Sequence, residues 1–62
     1  IDPGLAEGFN NLGYIYIDLA EYTRAIEQFQ IAVDIDPTYI DAYNNLGRVF
    51  VKSGDVDRAI AV

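Results

Sequence analysis

Shifted against itself by 34 residues, the chain overlays its own pattern. Ile1-Asp2-Pro3 falls on Ile35-Asp36-Pro37, Asn10-Asn11-Leu12-Gly13 on Asn44-Asn45-Leu46-Gly47, and Arg24-Ala25-Ile26 on Arg58-Ala59-Ile60. Ten of the 28 comparable pairs are identical. Six more are conservative: Glu7/Asp41, Phe9/Tyr43, Ile15/Val49, Tyr16/Phe50, Ile17/Val51 and Glu21/Asp55. A repeat of this length is one supersecondary unit per copy. Such a unit cannot bury its apolar surface alone and must stack on its neighbours.

Within each copy the apolar residues recur at helical spacing. Leu5, Phe9, Leu12, Gly13 and Tyr16 predict a first helix from about Leu5 to Leu19 with that stripe as its core face, and Ile15 and Ile17 on its flanks. Tyr22, Ala25, Ile26, Phe29, Ala32 and Val33 predict a second from about Tyr22 to Ile35. A third, near Tyr39 to Lys52, repeats the first through Tyr43, Leu46, Gly47 and Phe50, and a fourth starts near Val56. No segment reads as a strand, so the fold class is all-α, built of antiparallel helix–turn–helix units.

The punctuation agrees. Asp36-Pro37 ends the second helix, because the residue before Pro avoids helical angles and Pro lacks an N–H. Thr38 is the expected N-cap of the third helix, with Asp41 complementing its dipole. Lys52-Ser53-Gly54 is a helix C-terminus, and Asp55 can cap the fourth helix. In the first copy Ala20 stands where Gly54 stands in the second, a costly choice if that residue must be left-handed. Gly13 among bulky neighbours predicts a close helix approach, with Phe9, Tyr16 and Phe29 filling the space around it.

Composition narrows the function. The 62 residues hold no Cys and no His, which removes thiolate and imidazole chemistry and the usual zinc sites from this chain. Ten carboxylates against Arg24, Arg48, Lys52 and Arg58 give a formal charge of −6. Nucleic acid and anionic membrane are therefore not expected as partners, and a basic partner is mildly favoured. Acidity is also a common solubility feature. No apolar run approaches the ~20 residues of a membrane span, and no signal peptide is visible. A soluble, cytoplasmic chain is the expectation, and the opening Ile1 suggests a segment of a longer protein.

A 34-residue period carrying Phe9, Leu12-Gly13, Tyr16, Ala25, Phe29, Ala32 and Pro37, with Tyr43, Leu46-Gly47, Phe50 and Ala59 in the second copy, resembles the tetratricopeptide repeat. Ala20 in place of the usual Gly, and Phe9 or Tyr43 in place of the usual Trp, are departures from its pattern. The pentatricopeptide family has a similar hairpin but binds RNA, for which this acidic chain lacks basic stripes. The resemblance divides the chain into the end of a preceding repeat (1–5), a complete repeat (6–39) and an incomplete one (40–62). It also implies that the helix pairs form part of a right-handed superhelix, or solenoid, that binds protein or peptide partners and carries no cofactor.

On the first helix Glu7, Asn10, Asn11, Tyr14 and Asp18 form a polar stripe opposite the core stripe, and Asp41, Asn44, Asn45, Arg48 and Lys52 repeat it on the third. The resemblance implies that this stripe lines the concave face, where an extended peptide lies. Asn11 and Asn45 are equivalent, so they would offer a ladder of amides to a peptide backbone. The alternative is that each Asn bonds locally. Tyr14 and Arg48 differ between copies and are the expected specificity residues. The terminal-carboxylate clamp of some family members needs Lys where this chain has Asn10 or Asn44, so that mode is not expected.

No enzyme is expected. Asp34/Asp36 and Asp55/Asp57 could suggest metal or acid–base pairs, but each lies by a helix terminus, where carboxylates are routine. Arg24 precedes Glu27 by three residues, which predicts a surface ion pair. A second reading of function is self-assembly, in which uncovered repeat ends stack into an oligomer.

Overall fold

The computed structural model describes residues 3–54. It contains three helices in order: α1 (Pro3–Asp18), α2 (Tyr22–Ile35) and α3 (Ile40–Lys52). The expected fourth helix, with Arg58 and the Asp55/Asp57 pair, lies outside the described residues. Helix α2 packs against both α1 and α3. The core is correspondingly centred on α2: Ala25, Phe29, Ala32 and Val33 are buried together with Ala42, Leu46 and Val49 of α3. Phe9, Tyr16 and Ile17 of α1 pack against this cluster, as do Tyr22, Ile26 and Tyr39.

The ends of α2 follow from local chemistry. Helix α1 closes with Ala20 at φ 58°, left-handed despite its Cβ. The Glu21 N–H donates to the Tyr16 carbonyl and the Ala20 N–H to the Ile17 carbonyl, both at 2.9 Å, which is the Schellman arrangement. Gly54 takes the same role after α3 at φ 86°, without the Cβ penalty. At the other end of α2, Asp36 is extended (φ −133°, ψ 92°), as a residue before Pro must be, and its N–H still bonds the Ala32 carbonyl.

Thr38 is not the cap of α3. Its N–H and its hydroxyl both donate to the Asp36 carboxylate, at 3.1 and 2.6 Å, closing an Asx turn around Pro37. The cap position passes to Tyr39, which makes no side-chain cap bond. In the first copy the place of Thr38 is taken by Gly4, which has no hydroxyl to add to a backbone turn, and α1 begins earlier, at Pro3. Pro is well suited to that first position, where an N–H would have no partner in the helix.

The core stripes of the two first helices are rotated from expectation. On α1 the buried side is Ala6, Asn10 and Gly13, flanked by Phe9, Tyr16 and Ile17, whereas Leu5 and Leu12 are exposed. On α3 the buried side is Ala42, Asn45, Leu46 and Val49, whereas Tyr43 and Gly47 are exposed. Each first helix has a broad apolar arc, and α2 covers a different part of it on each. The close approach at Gly13 is real: a Cβ there would lie 2.6 Å from the Phe29 ring. The Arg24 ion pair forms with Glu21 (3.5 Å) and not with Glu27, and it is exposed.

Candidate functional site

The site expected from sequence is a polar band on α1 and α3, and the structure divides its ten residues in two. Glu7, Asn11, Tyr14, Asp18, Asp41, Asn44, Arg48 and Lys52 are exposed. Asn10 and Asn45 are buried, at 5% and 3% exposure. They bond each other: the Asn45 amide nitrogen donates to the Asn10 Oδ1 at 2.9 Å, joining α1 directly to α3. The amide of Asn45 is therefore turned onto another repeat and not outward beside Asn11. Its sequence separation from Asn10 is 35 residues, too far for a single-helix wheel to reveal. Among the described residues no buried side-chain polar atom lacks a partner.

Around this bond the exposed residues are anchored. The Tyr14 ring meets Phe29 edge-on, with centroids 6.1 Å apart at 88°, so a core residue orients an exposed aromatic of the band. Tyr39, outside the stripe expected from sequence, also belongs to this region. Partial burial pushes the Tyr39 phenol above its usual range, the Glu7 and Asp41 carboxylates push it further, and a hydrogen bond with Asn10 opposes them. Tyr39 occupies the place of Leu5 in the repeat. That hydroxyl at an apolar position is the one sequence clue to its role. The patch thus brings two carboxylates, two phenols and an amide pair together where α1 faces the start of α3.

Elsewhere an open depression of about 610 Å³ is lined by residues of the α1–α2 turn and α2, including Glu21, Tyr22, Arg24 and Glu27, with Ser53. It contains none of the band residues. The Asp36 carboxylate is committed to Thr38, whose hydroxyl and then N–H hold its pKa below the ordinary value. Among the described residues no three carboxylates gather as a metal site, and no helix is long and apolar enough to cross a membrane.

Antiparallel helices repeated at a fixed period, with one central helix packed on two equivalent ones, define a helical-repeat protein. The chain belongs to the tetratricopeptide family: the model of the TPR repeat matches residues 13–54, more than half its length. Repeats of this family generally act as protein–protein interaction modules and are typically scaffolds without catalytic activity. No curated protein matches the chain.

Proposed function

We propose that the exposed band of α1 and α3 receives an extended segment of a partner protein, with a preference for basic segments. The reading is supported above all by the patch around Tyr39. There the charges of Glu7 and Asp41 both act on the Tyr39 phenol, while the Asn10–Asn45 bond joins the two helices that carry them. A cationic side chain docking beside Tyr39 would be attracted by both carboxylates. Asn11 and Asn44 offer donors and acceptors to a peptide backbone, and Tyr14 a fixed aromatic surface. Asp18 extends the acidic stripe along α1, whereas Arg48 and Lys52 temper it toward the end of α3.

The test uses two labelled ten-residue peptides of the same extended design, one with Lys and one with Glu at alternate positions, titrated by fluorescence anisotropy. The Lys peptide should bind better, and its affinity should fall as salt rises. Glu7→Gln with Asp41→Asn should weaken it by about 10-fold, roughly 1.4 kcal/mol, with the helical circular-dichroism spectrum unchanged. Equal binding of both peptides, or no loss in the double variant, contradicts the reading. Asn45→Ala is not a clean probe, because it would leave the buried Asn10 oxygen without its donor.

A further inference from the structure

We infer that Asn10 and Asn45 are positioning residues: their bond fixes how α1 and α3 are turned about their own axes, and thereby which side chains the two helices present together on the open band. The inference rests on the binding reading above. It assigns the selectivity of that band to two amides that are themselves buried, at 5% and 3% exposure. Apolar packing alone leaves the rotation loose, and the molecule itself shows this. Phe9, Gly13 and Ile17 of α1 are turned toward the core built on α2, whereas their counterparts Tyr43, Gly47 and Val51 on α3 are exposed. One repeated pattern is thus seated on α2 in two different rotations. Helices α1 and α3 meet each other only weakly, so little else sets one against the other.

The amide bond removes that freedom. Apolar contact is non-directional, whereas a hydrogen bond of 2.9 Å between two buried side chains is made in a narrow range of geometry. A buried amide pair is therefore suited to selecting one arrangement among several that pack comparably well. Its place in the sequence ties that choice to the band. Asn10 lies three residues after Glu7 and four before Tyr14, and Asn45 lies four after Asp41 and three before Arg48. These are the spacings of neighbours on a helix surface. A turn of either helix that breaks the bond would move all four exposed residues. Tyr39, in the connection before α3, is drawn into the same arrangement by its hydrogen bond with Asn10.

The experiment replaces both amides at once, Asn10→Leu with Asn45→Leu, so that neither is left without its partner. The chain has no Cys. Nitroxide labels on Ile15→Cys and Val51→Cys, both exposed and outside the band, therefore report the distance between α1 and α3 by electron paramagnetic resonance. Wild type should give one narrow distribution of distances. The Leu pair should stay helical and unfold cooperatively, yet give a broadened or shifted distribution. In the anisotropy titration its preference for the Lys peptide over the Glu peptide should fall by about 3-fold or more, as the charges are displaced. A bond that served the fold alone would weaken both peptides together and leave their ratio unchanged. An unaltered distance distribution in the Leu pair overturns the inference, and so does an undiminished preference. Failure of both the Leu pair and an Asn10→Ala, Asn45→Ala pair to fold also overturns it, because the amides would then serve the fold itself. Equal binding of the two peptides by wild type would sink the binding reading instead, and the distances would still decide whether the bond sets the rotation.

Discussion

Helices α1 and α3 carry the same sequence pattern and bury opposite parts of it. On α1 the side turned to the core is Ala6, Phe9, Gly13 and Ile17, whereas the counterparts on α3, Ile40, Tyr43, Gly47 and Val51, are exposed, Ile40 by 65%. Conversely Ala42, Leu46 and Val49 are buried on α3 while Gly8, Leu12 and Ile15 are exposed on α1. The first helix of this repeat thus has two apolar faces, one for the second helix of its own copy and one for that of the copy before. Helix α2 satisfies one face on each neighbour. The pattern is a property of the repeat, and the burial is a property of position in the array.

The most damaging change to this arrangement removes what both helices share. Phe29 is fully buried on α2 and lies against Gly13 and Tyr14 of α1. Phe29→Ala should cost about 3–5 kcal/mol, against a total of roughly 3–9 kcal/mol expected for a chain of this length. Most of the helical circular-dichroism signal should disappear. A variant that melts within a few degrees of wild type would mean that α1 and α3 do not depend on a common core.

The two turns that end the first helices set the copies apart at a smaller scale. Ala20 and Gly54 are both left-handed, but only Ala20 carries a Cβ in that region. Ala20→Gly relieves about 1–2 kcal/mol of strain and costs roughly 0.5–1 kcal/mol in chain entropy. A net gain of up to about 1.5 kcal/mol should raise the melting temperature by a few degrees. Lower stability would show that the left-handed turn is not strained in the first copy.

A slighter difference lies at the Asx turn of the second copy, to which Thr38 adds a hydroxyl that Gly4 lacks in the first. The Asp36 carboxyl is held below its ordinary value of 3.8 by the Thr38 hydroxyl and then the Thr38 N–H. A lowered folded-state pKa means that the carboxylate stabilises the fold above that ordinary value, and that the contribution is lost as pH falls through the lowered one. The carboxylate is open to solvent, so the effect should be small. Thr38→Ala should flatten the acid limb of the stability–pH profile and leave neutral pH nearly unchanged. An unchanged acid limb would contradict the assignment.

How much of this is legible in the sequence can be judged residue by residue. The limits of α2 are readable because Pro37 and the turn residues act locally, within a few positions of the chain. Gly13 is readable because Gly inside a helix is costly unless something packs against it, and Phe29 does. The buried faces of α1 and α3 are not, because a helical wheel shows an apolar arc but not which neighbour covers which part of it. Thr38 has the chemistry of a cap, but Asp36, two residues earlier, competes for its hydroxyl. Asn45 has the spacing of the open band, but its partner sits 35 residues away on another helix. The band's remaining eight residues are exposed as the periodicity suggests, and their role in binding rests on the proposal above.

The two-faced first helix is tested most directly by comparing Gly13 with Gly47, the same residue of the repeat in its two settings. A Cβ at Gly13 would meet Phe29 at 2.6 Å, whereas at Gly47 it would meet nothing within 4 Å among the described residues. Thermal and urea unfolding of the two single Ala variants decides the matter. Gly47→Ala should stabilise by up to about 1 kcal/mol, the helix-propensity gain of Ala over Gly. Gly13→Ala should destabilise, because overpacking of about 1–3 kcal/mol outweighs that same gain. Opposite signs are expected of one residue set on a covered face in one copy and an open face in the other. Two variants shifted equally, or Gly13→Ala the more stable of the two, would mean that the two helices do not present different faces to α2.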